Sequence, residues 1–260
     1  MTAHAGSDAA DAYWTDFRTT DVEAAKSFYA AVFGWRFEEY VARHGSTYFL
    51  ACLADGLVTI FAPYISGQDP ADMNGRWNVY FATGDVREFV DGLAHSGGVL
   101  ESEPAVLDDA GEMVFFSPPG GGNTGAWHPW RRFRSARSED PGAVAWIELL
   151  TPEPQAAVAF FQQQFGHEVT EYPQDDGGTY STLLANGTEV AGIAAVPAGS
   201  EGILDPGWQV YFGVSSVAES VAAAVAAGAV VLLEPDGTEE GGTIATLRDP
   251  QGAVFNLLEL

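Results

Sequence analysis

Two short stretches of this sequence set a carboxylate two residues from an indole: Trp14 with Asp16 in WTDFR, and Trp146 with Glu148 in WIELL. Side chains of an extended strand alternate between faces, so Trp14, Asp16 and Arg18 share one face, as do Trp146 and Glu148. Asn78 likewise shares a face with Tyr80 in WNVYF, and Gln209 with Tyr211 in WQVYF. Tyr48 is expected to join the first set from a neighbouring strand. Aromatic walls with a few polar groups are the usual make-up of a small-molecule site. A carboxylate desolvated there has its pKa raised and is suited to act as a general base. Asp16 is the first candidate for that role and Glu148 the second, with Arg18 suited to stabilise an enolate or phenolate oxygen. His128, beside Trp127 in AWHPW, is a further candidate base or donor. The plainer readings are an Asp16–Arg18 ion pair, tryptophans that fill a core, a structural Glu148 and a loop histidine at 128. His4, His44, His95 and His167 read as surface residues. Gly120–Gly122 is not a phosphate loop, because no Gly-Lys-Ser/Thr follows.

The elements that must position these residues are written twice. WTDFRTTDVEAAKSFYAAVFGW at Trp14 is echoed by WIELLTPEPQAAVAFFQQQFGH at Trp146, 132 residues later, and RWNVYFAT at Arg76 by GWQVYFGV at Gly207. FFSPPGG and TLRDPQG correspond in the same way. Two domains are therefore expected, 1–130 and 142–260, joined by a polar linker at 131–141. Each splits into two modules, at about 11–70 and 75–130, and at about 142–200 and 206–260. In the first module a strand, AYWTDFR, leads to a helix capped by Thr20 or Asp21 with Glu23 in its first turn. Ala24, Phe28, Val32 and Phe33 form its expected buried stripe. Gly34 stops it. STYFLACL and GLVTIFAPY follow as strands around a turn at Asp55–Gly56. The pattern of strand, helix and further strands recurs four times and argues an α+β architecture.

The helix TxDVEAAKxFYxxxFGW, the strand WxVYF and the DPxG turn before a last strand resemble the glyoxalase/bleomycin-resistance (vicinal oxygen chelate) superfamily over almost the whole chain, in its tandem two-domain form. The resemblance implies two βαβββ modules per domain curled into a half-open barrel around a small-molecule cavity. It also implies a divalent metal in the enzymes of the family and none in its antibiotic-binding members. The family's first-strand ligand lies seven residues before the helix-starting Asp, which here puts Trp14 and Trp146 in that place. An indole N–H only donates and cannot ligate a cation. The other ligand positions fall on Asn78, Gln209, Asn256 and a place near Thr124, all weak donors without carboxylate or imidazole beside them. No metal and no other cofactor is therefore expected. Trp14, Tyr48, Asn78, Tyr80, Trp127, Trp146, Gln209 and Asn256 are the expected ligand-binding residues.

Composition narrows the partners. Lys+Arg number 11 against Asp+Glu 36, a formal charge of -25, which repels nucleic acid and anionic membrane surfaces. The single cysteine, Cys52, excludes an internal disulfide and reads as a small buried hydrophobe. The N-terminal stretch lacks the marks of a signal peptide, and no apolar run is long enough to span a bilayer. A cytoplasmic monomer or homodimer with a hydrophobic or aromatic small-molecule ligand is expected. Three functions stay open: a metal-independent enzyme of secondary metabolism performing cyclisation, isomerisation or elimination by general acid/base chemistry; a drug- or metabolite-binding protein of the bleomycin-resistance kind; and a metal-dependent glyoxalase- or dioxygenase-like enzyme.

Overall fold

The computed structural model describes residues 12–43, 45–54, 56–62, 75–130, 135–174, 177–200, 203–237 and 242–260. His4, His44, Asp55 of the expected turn and residues 131–134 of the expected linker lie outside the described residues.

The first module runs β1 (Tyr13–Arg18), α1 (Val22–Phe33), β2 (Arg36–Val41), β3 (Thr47–Leu53) and β4 (Gly56–Ala62). The second runs β5 (Arg76–Ala82), α2 (Val86–Leu93), β6 (Val99–Leu100), β7 (Ala105–Leu107), β8 (Gly111–Ser117) and β9 (Thr124–Pro129). The third comprises β10 (Val144–Thr151), α3 (Pro154–Phe165), β11 (Glu168–Pro173), β12 (Thr179–Ala185) and β13 (Thr188–Ala195). The fourth comprises β14 (Gly207–Val214), α4 (Val217–Ala226), β15 (Val230–Gly237), β16 (Thr243–Arg248) and β17 (Val254–Glu259). Strands β1–β9 form one sheet and β10–β17 another, and the class is α+β with two tandem domains.

Local chemistry explains the helix bounds. The Asp21 carboxylate caps α1 by accepting from the Ala24 amide at 3.0 Å, and Gly34 ends it in the left-handed region at φ 71°. Asp85 caps α2 through the Arg87 and Glu88 amides. The buried face of α1 is Ala25, Phe28, Tyr29 and Phe33, not the expected Ala24, Phe28, Val32 and Phe33. A tyrosine can take that place because its hydroxyl finds a buried acceptor, described below.

By compactness the chain divides into two units, each drawing on both halves of the sequence. One consists of residues 1–14, 79–132 and 147–208, the other of 15–78, 133–146 and 209–260. The first unit holds most of β5 (from Val79) with β9, β8 and β6, β7 on β8, and β11, β12 and β13 with most of β10 (from Ile147). Within it α2 packs on α3. Its core gathers Phe81, Phe116, Phe160 and Phe161, all fully buried, with Phe89, Phe165 and Trp208. The second unit holds most of β1 with β2, β3 and β4, and β14-β17-β16-β15, and in it α1 packs on α4. Tyr29 sits at its centre, ringed by Phe17, Phe33, Trp35, Phe61, Trp77 and Phe255. Among the described residues no helix is long and apolar enough to cross a membrane.

Candidate functional site

Strand β1 runs parallel to β4 with Asp16 opposite Ile60. Phe17 is fully buried against Tyr29, so alternation turns its neighbours Asp16 and Arg18 to the other face. Both stay buried there, at 7% and 4% exposure. Asn78 on β5, 3% exposed, donates from Nδ2 to Asp16 Oδ1 at 2.6 Å, and Arg18 Nε donates to Asp16 Oδ2 at 3.4 Å. The ion pair read from sequence as the plain alternative is therefore formed. Burying a carboxylate is costly unless it is paired and hydrogen-bonded, and here both oxygens are met. The arrangement provides a fixed anion with a cation and an amide at its sides.

In the first unit the predicted aromatic residues gather. Tyr80, Met113 and Phe115 form a buried cluster on which Trp14, Leu107 and Trp127 pack partly exposed. The Tyr80 and Phe115 rings lie 5.4 Å apart, tilted by 51°. His128 is not part of this cluster. Trp127 packs on it, so alternation points His128 to the opposite face of β9, where its Nδ1 lies 3.0 Å from the Thr83 carbonyl oxygen.

Tyr48 is half-buried on β3, across from Tyr40 of β2. Trp146 and Glu148 are half-buried on β10, with Glu148 opposite Gly192 of β13. In the second unit Gln209 and Asn256 are buried, and Asn256 Nδ2 donates to Gln209 Oε1 at 3.5 Å while its Oδ1 accepts from Thr246 Oγ1 at 2.7 Å.

Trp14 and Trp146 offer no lone pair to a cation, Asn78 donates its Nδ2 to Asp16, and the side-chain oxygens of Gln209 and Asn256 accept hydrogen bonds. Among the described residues no three His, Cys, Asp or Glu side chains converge on a point that could hold a metal. The register also locates the last-strand position of the first half, expected near Thr124. Tyr211 pairs with Asn256 on β14 and β17, and its counterpart Tyr80 pairs with Gly125 on β5 and β9, so the position is Gly125, next to Thr124. Thr124 is buried, and its hydroxyl accepts from Trp208 Nε1 at 2.8 Å.

Two further groups escaped sequence reading. Tyr29, Trp77 and Asp249 form a buried chain in the second unit. Trp77 Nε1 donates to the Tyr29 hydroxyl at 3.1 Å, which donates to Asp249 Oδ2 at 2.9 Å. Burial pushes the Asp249 carboxyl above the usual carboxylate range, against the pull of the Ala253 and Gln251 amides and Tyr29. The Tyr29 phenol is pushed well up by burial and by Asp249. His167, expected at the surface, is instead buried against Phe81, Phe161 and Phe165. Its Nδ1 has no hydrogen-bond partner, and desolvation lowers its pKa from 6.5 to about 4. The signal was present in the repeat: His167 follows Trp35, another core aromatic, by 132 residues.

Comparison with known proteins covers the same two halves. Residues 13–124 match the Glyoxalase/Bleomycin resistance protein/Dioxygenase superfamily, and residues 146–258 match a glyoxalase-like domain. A Mycobacterium bovis protein named "Putative glyoxylase CFP32" is 35% identical over 247 residues, covering 95% of this chain and 93% of that one. The anthracycline biosynthesis protein DnrV of Streptomyces peucetius is 32% identical over 261 residues, covering 95% and 92%. Among solved structures, a Mn(II)-bound glyoxalase from Novosphingobium aromaticivorans superposes with a TM-score of 0.64 at 20% identity, covering 96% of this chain and 82% of that one. The 2,3-dioxygenase LapB from Pseudomonas sp. KL28 gives 0.61 at 16% identity, covering 94% and 90%. At such identities the structural likeness speaks for the fold alone.

Proposed function

The chain belongs to the glyoxalase/bleomycin resistance/dioxygenase superfamily, and from that premise we propose that it is a metal-independent member acting on a planar aromatic metabolite in secondary metabolism. The observation that carries the proposal is the buried Asp16 carboxylate, held by Arg18 and Asn78 on a strand whose chelating position is an indole. Without a chelating set, chemistry falls to proton transfer. Asp16 takes a proton from carbon beside a carbonyl, or from a phenol, and the Arg18 guanidinium steadies the oxyanion that forms. Cyclisation, isomerisation and elimination all begin with that step. Within the first unit, taken by itself, the half-buried indoles of Trp14 and Trp127 offer stacking surface for an aromatic ligand. Relatedness to proteins of anthracycline biosynthesis supports a fused-ring polyketide as ligand class.

One observation favours a second reading, sequestration without turnover: both oxygens of Asp16 already accept hydrogen bonds within the protein. The test separates the two. The full chain is incubated with a panel of hydroxylated anthraquinones and anthracyclinone esters and followed by mass spectrometry. An enzyme yields a product that disappears in Asp16→Asn, while binding stays within a few-fold of the parent. Ligand recovered unchanged after long incubation excludes catalysis on that class. Stoichiometric iron, nickel, zinc or manganese in protein purified without chelator excludes the metal-independent assignment.

A further inference from the structure

We propose that the third module carries a second ligand site, a receptor for a protonated amine built on the Glu189 carboxylate of β13. Strands β12 and β13 pair Thr182 with Gly192 and Leu183 with Ala191, and then the register shifts so that Leu184 pairs with Glu189. Leu183, Ala191 and Ile193 are fully buried on one face, and Thr182 and Gly192 point to the other. Strict alternation would put Glu189 on the face of Ala191. The bulge carries it to the face of Thr182, and re-aiming a side chain is what such bulges do. There Thr182 Oγ1 donates to Glu189 Oε1 at 2.8 Å, and the Tyr172 hydroxyl donates to the same oxygen at 2.7 Å. Thr182 is 2% exposed and Tyr172 42%, so the group is anchored in the sheet and open to solvent at its outer edge.

The fold does not require this group. The repeat sets Leu50 and Leu57 where the second half has Thr182 and Glu189, 132 residues later, with a tyrosine kept at Tyr40. A register shift stands at the same place in the first half, where Cys52 pairs with Leu57, and Leu57 is buried. The hydroxyls and the carboxylate are thus an addition to a scaffold that closes with leucines. An exposed ion pair ordinarily contributes little, because two long side chains must be immobilised. Here two hydroxyls already hold one oxygen of the carboxylate, and among the described residues the other oxygen, Oε2, accepts no hydrogen bond. A carboxylate only accepts, so its complement is a donor, and a charged donor makes the stronger bond. Tyr180, opposite Tyr172, brings a second phenol ring to the same face. Glu148 stands on that face too, across Gly192, which has no side chain to intervene. Ring faces beside carboxylates suit an ammonium group on an apolar body. The formal charge of -25 raises the local concentration of such a cation. A neutral alcohol of the same shape keeps the apolar contact and loses the charge-assisted bond.

The site does not involve Asp16, so its test bears on this inference alone. The full chain, with isotope-labelled tyrosine, is titrated at neutral pH and physiological salt with cyclohexylmethylamine and with cyclohexylmethanol. Binding is read by NMR from the ring signals of Tyr172 and Tyr180, assigned by Tyr→Phe substitution. The amine is expected to shift both signals and to bind at least about fivefold more tightly than the alcohol. Glu189→Gln keeps the size of the side chain and should abolish that preference. Glu189→Leu copies the residue of the first half and should abolish it as well, which keeps the test decisive if one of the two misfolds. Tyr172→Phe keeps the ring and removes one of the two donors, so the amine is expected to weaken while the alcohol binds as before. Equal affinity of the parent for the two probes overturns the inference, as does a parent that does not bind the amine. A preference for the amine that survives loss of the Glu189 charge also overturns it, since the attraction then belongs to the acidic surface as a whole.

Discussion

At the residue scale the chain holds a carboxylate and a guanidinium out of water beside each other, and that arrangement has a measurable consequence. Removing one member of a buried, hydrogen-bonded ion pair leaves the other charge uncompensated, at about 3–5 kcal/mol. Asp16→Ala and Arg18→Ala are each expected to lower unfolding free energy by roughly that amount, with the double variant losing clearly less than the sum. Urea titration of the four proteins measures the coupling, and strict additivity would contradict the pair. Asp16→Asn keeps the shape and the Asn78 contact but takes the charge from beside Arg18, so its unfolding free energy is measured together with its turnover. Tyr29→Phe makes a second case. It removes the hydroxyl that Asp249 accepts from and Trp77 donates to, and leaves buried polar atoms short of a partner. A loss of about 1–3 kcal/mol is expected in the same titration. A loss near zero would mean that water replaces the hydroxyl.

At the scale of single elements the short link between α3 and β11 carries a pH dependence. His167 has an ordinary pKa of 6.5 and a folded value of about 4, caused by burial among Phe81, Phe161 and Phe165. Above pH 6.5 the imidazole is neutral in both folded and unfolded chains and contributes no slope. Between 6.5 and about 4 the unfolded chain takes up a proton that the folded chain refuses, so stability falls as pH falls. The full loss amounts to roughly 3 kcal/mol. Melting temperatures of the parent and His167→Phe, measured from about pH 7.5 to about 4.5, should diverge in favour of the variant as pH drops. Parallel curves would show that the ring is hydrated. The same element marks what the sequence made legible. Strands with both faces informative, such as WNVYF, and helices with a cap and a terminal glycine, such as α1, were readable from alternation and end signals. Strand β2, mostly exposed along one edge, offers little apolar signal and was not picked out. The phase of α1 was misread because apolar periodicity cannot know that Tyr29 has a buried acceptor 220 residues away. For the site, the residues on β1 and β5 were legible because a period of two is local. The Gly125 position was not, because one residue of register along a glycine-rich turn is decided only by the partner strand.

At the scale of the whole molecule, the sequence repeat and the compact units cut the chain differently. The repeat separates a first half from a second at about residue 140, while each compact unit takes one module from either half. In the second unit α1 of the first half packs on α4 of the second. Phe28 meets Phe255 at 5.9 Å, Phe33 meets Phe212 at 4.8 Å, and Tyr29 bonds Asp249. In the first unit Phe116 of the first half meets Phe160 of the second at 5.4 Å, and Gln164 donates to Ser96. Each half made alone would therefore expose the inner faces of two units at once. Burial of large aromatic side chains is the main favourable term in folding, at roughly 25 cal/mol per Å² of apolar surface. A half without its complement loses that term along both of its helices. Fragments 1–130 and 142–260 produced separately are expected to be insoluble, or to bind an apolar dye strongly with poor chemical-shift dispersion. Produced together they should copurify as a one-to-one complex whose melting is cooperative. Half-chains that fold and melt cooperatively on their own would show that the unit boundary by contact is not the boundary by stability.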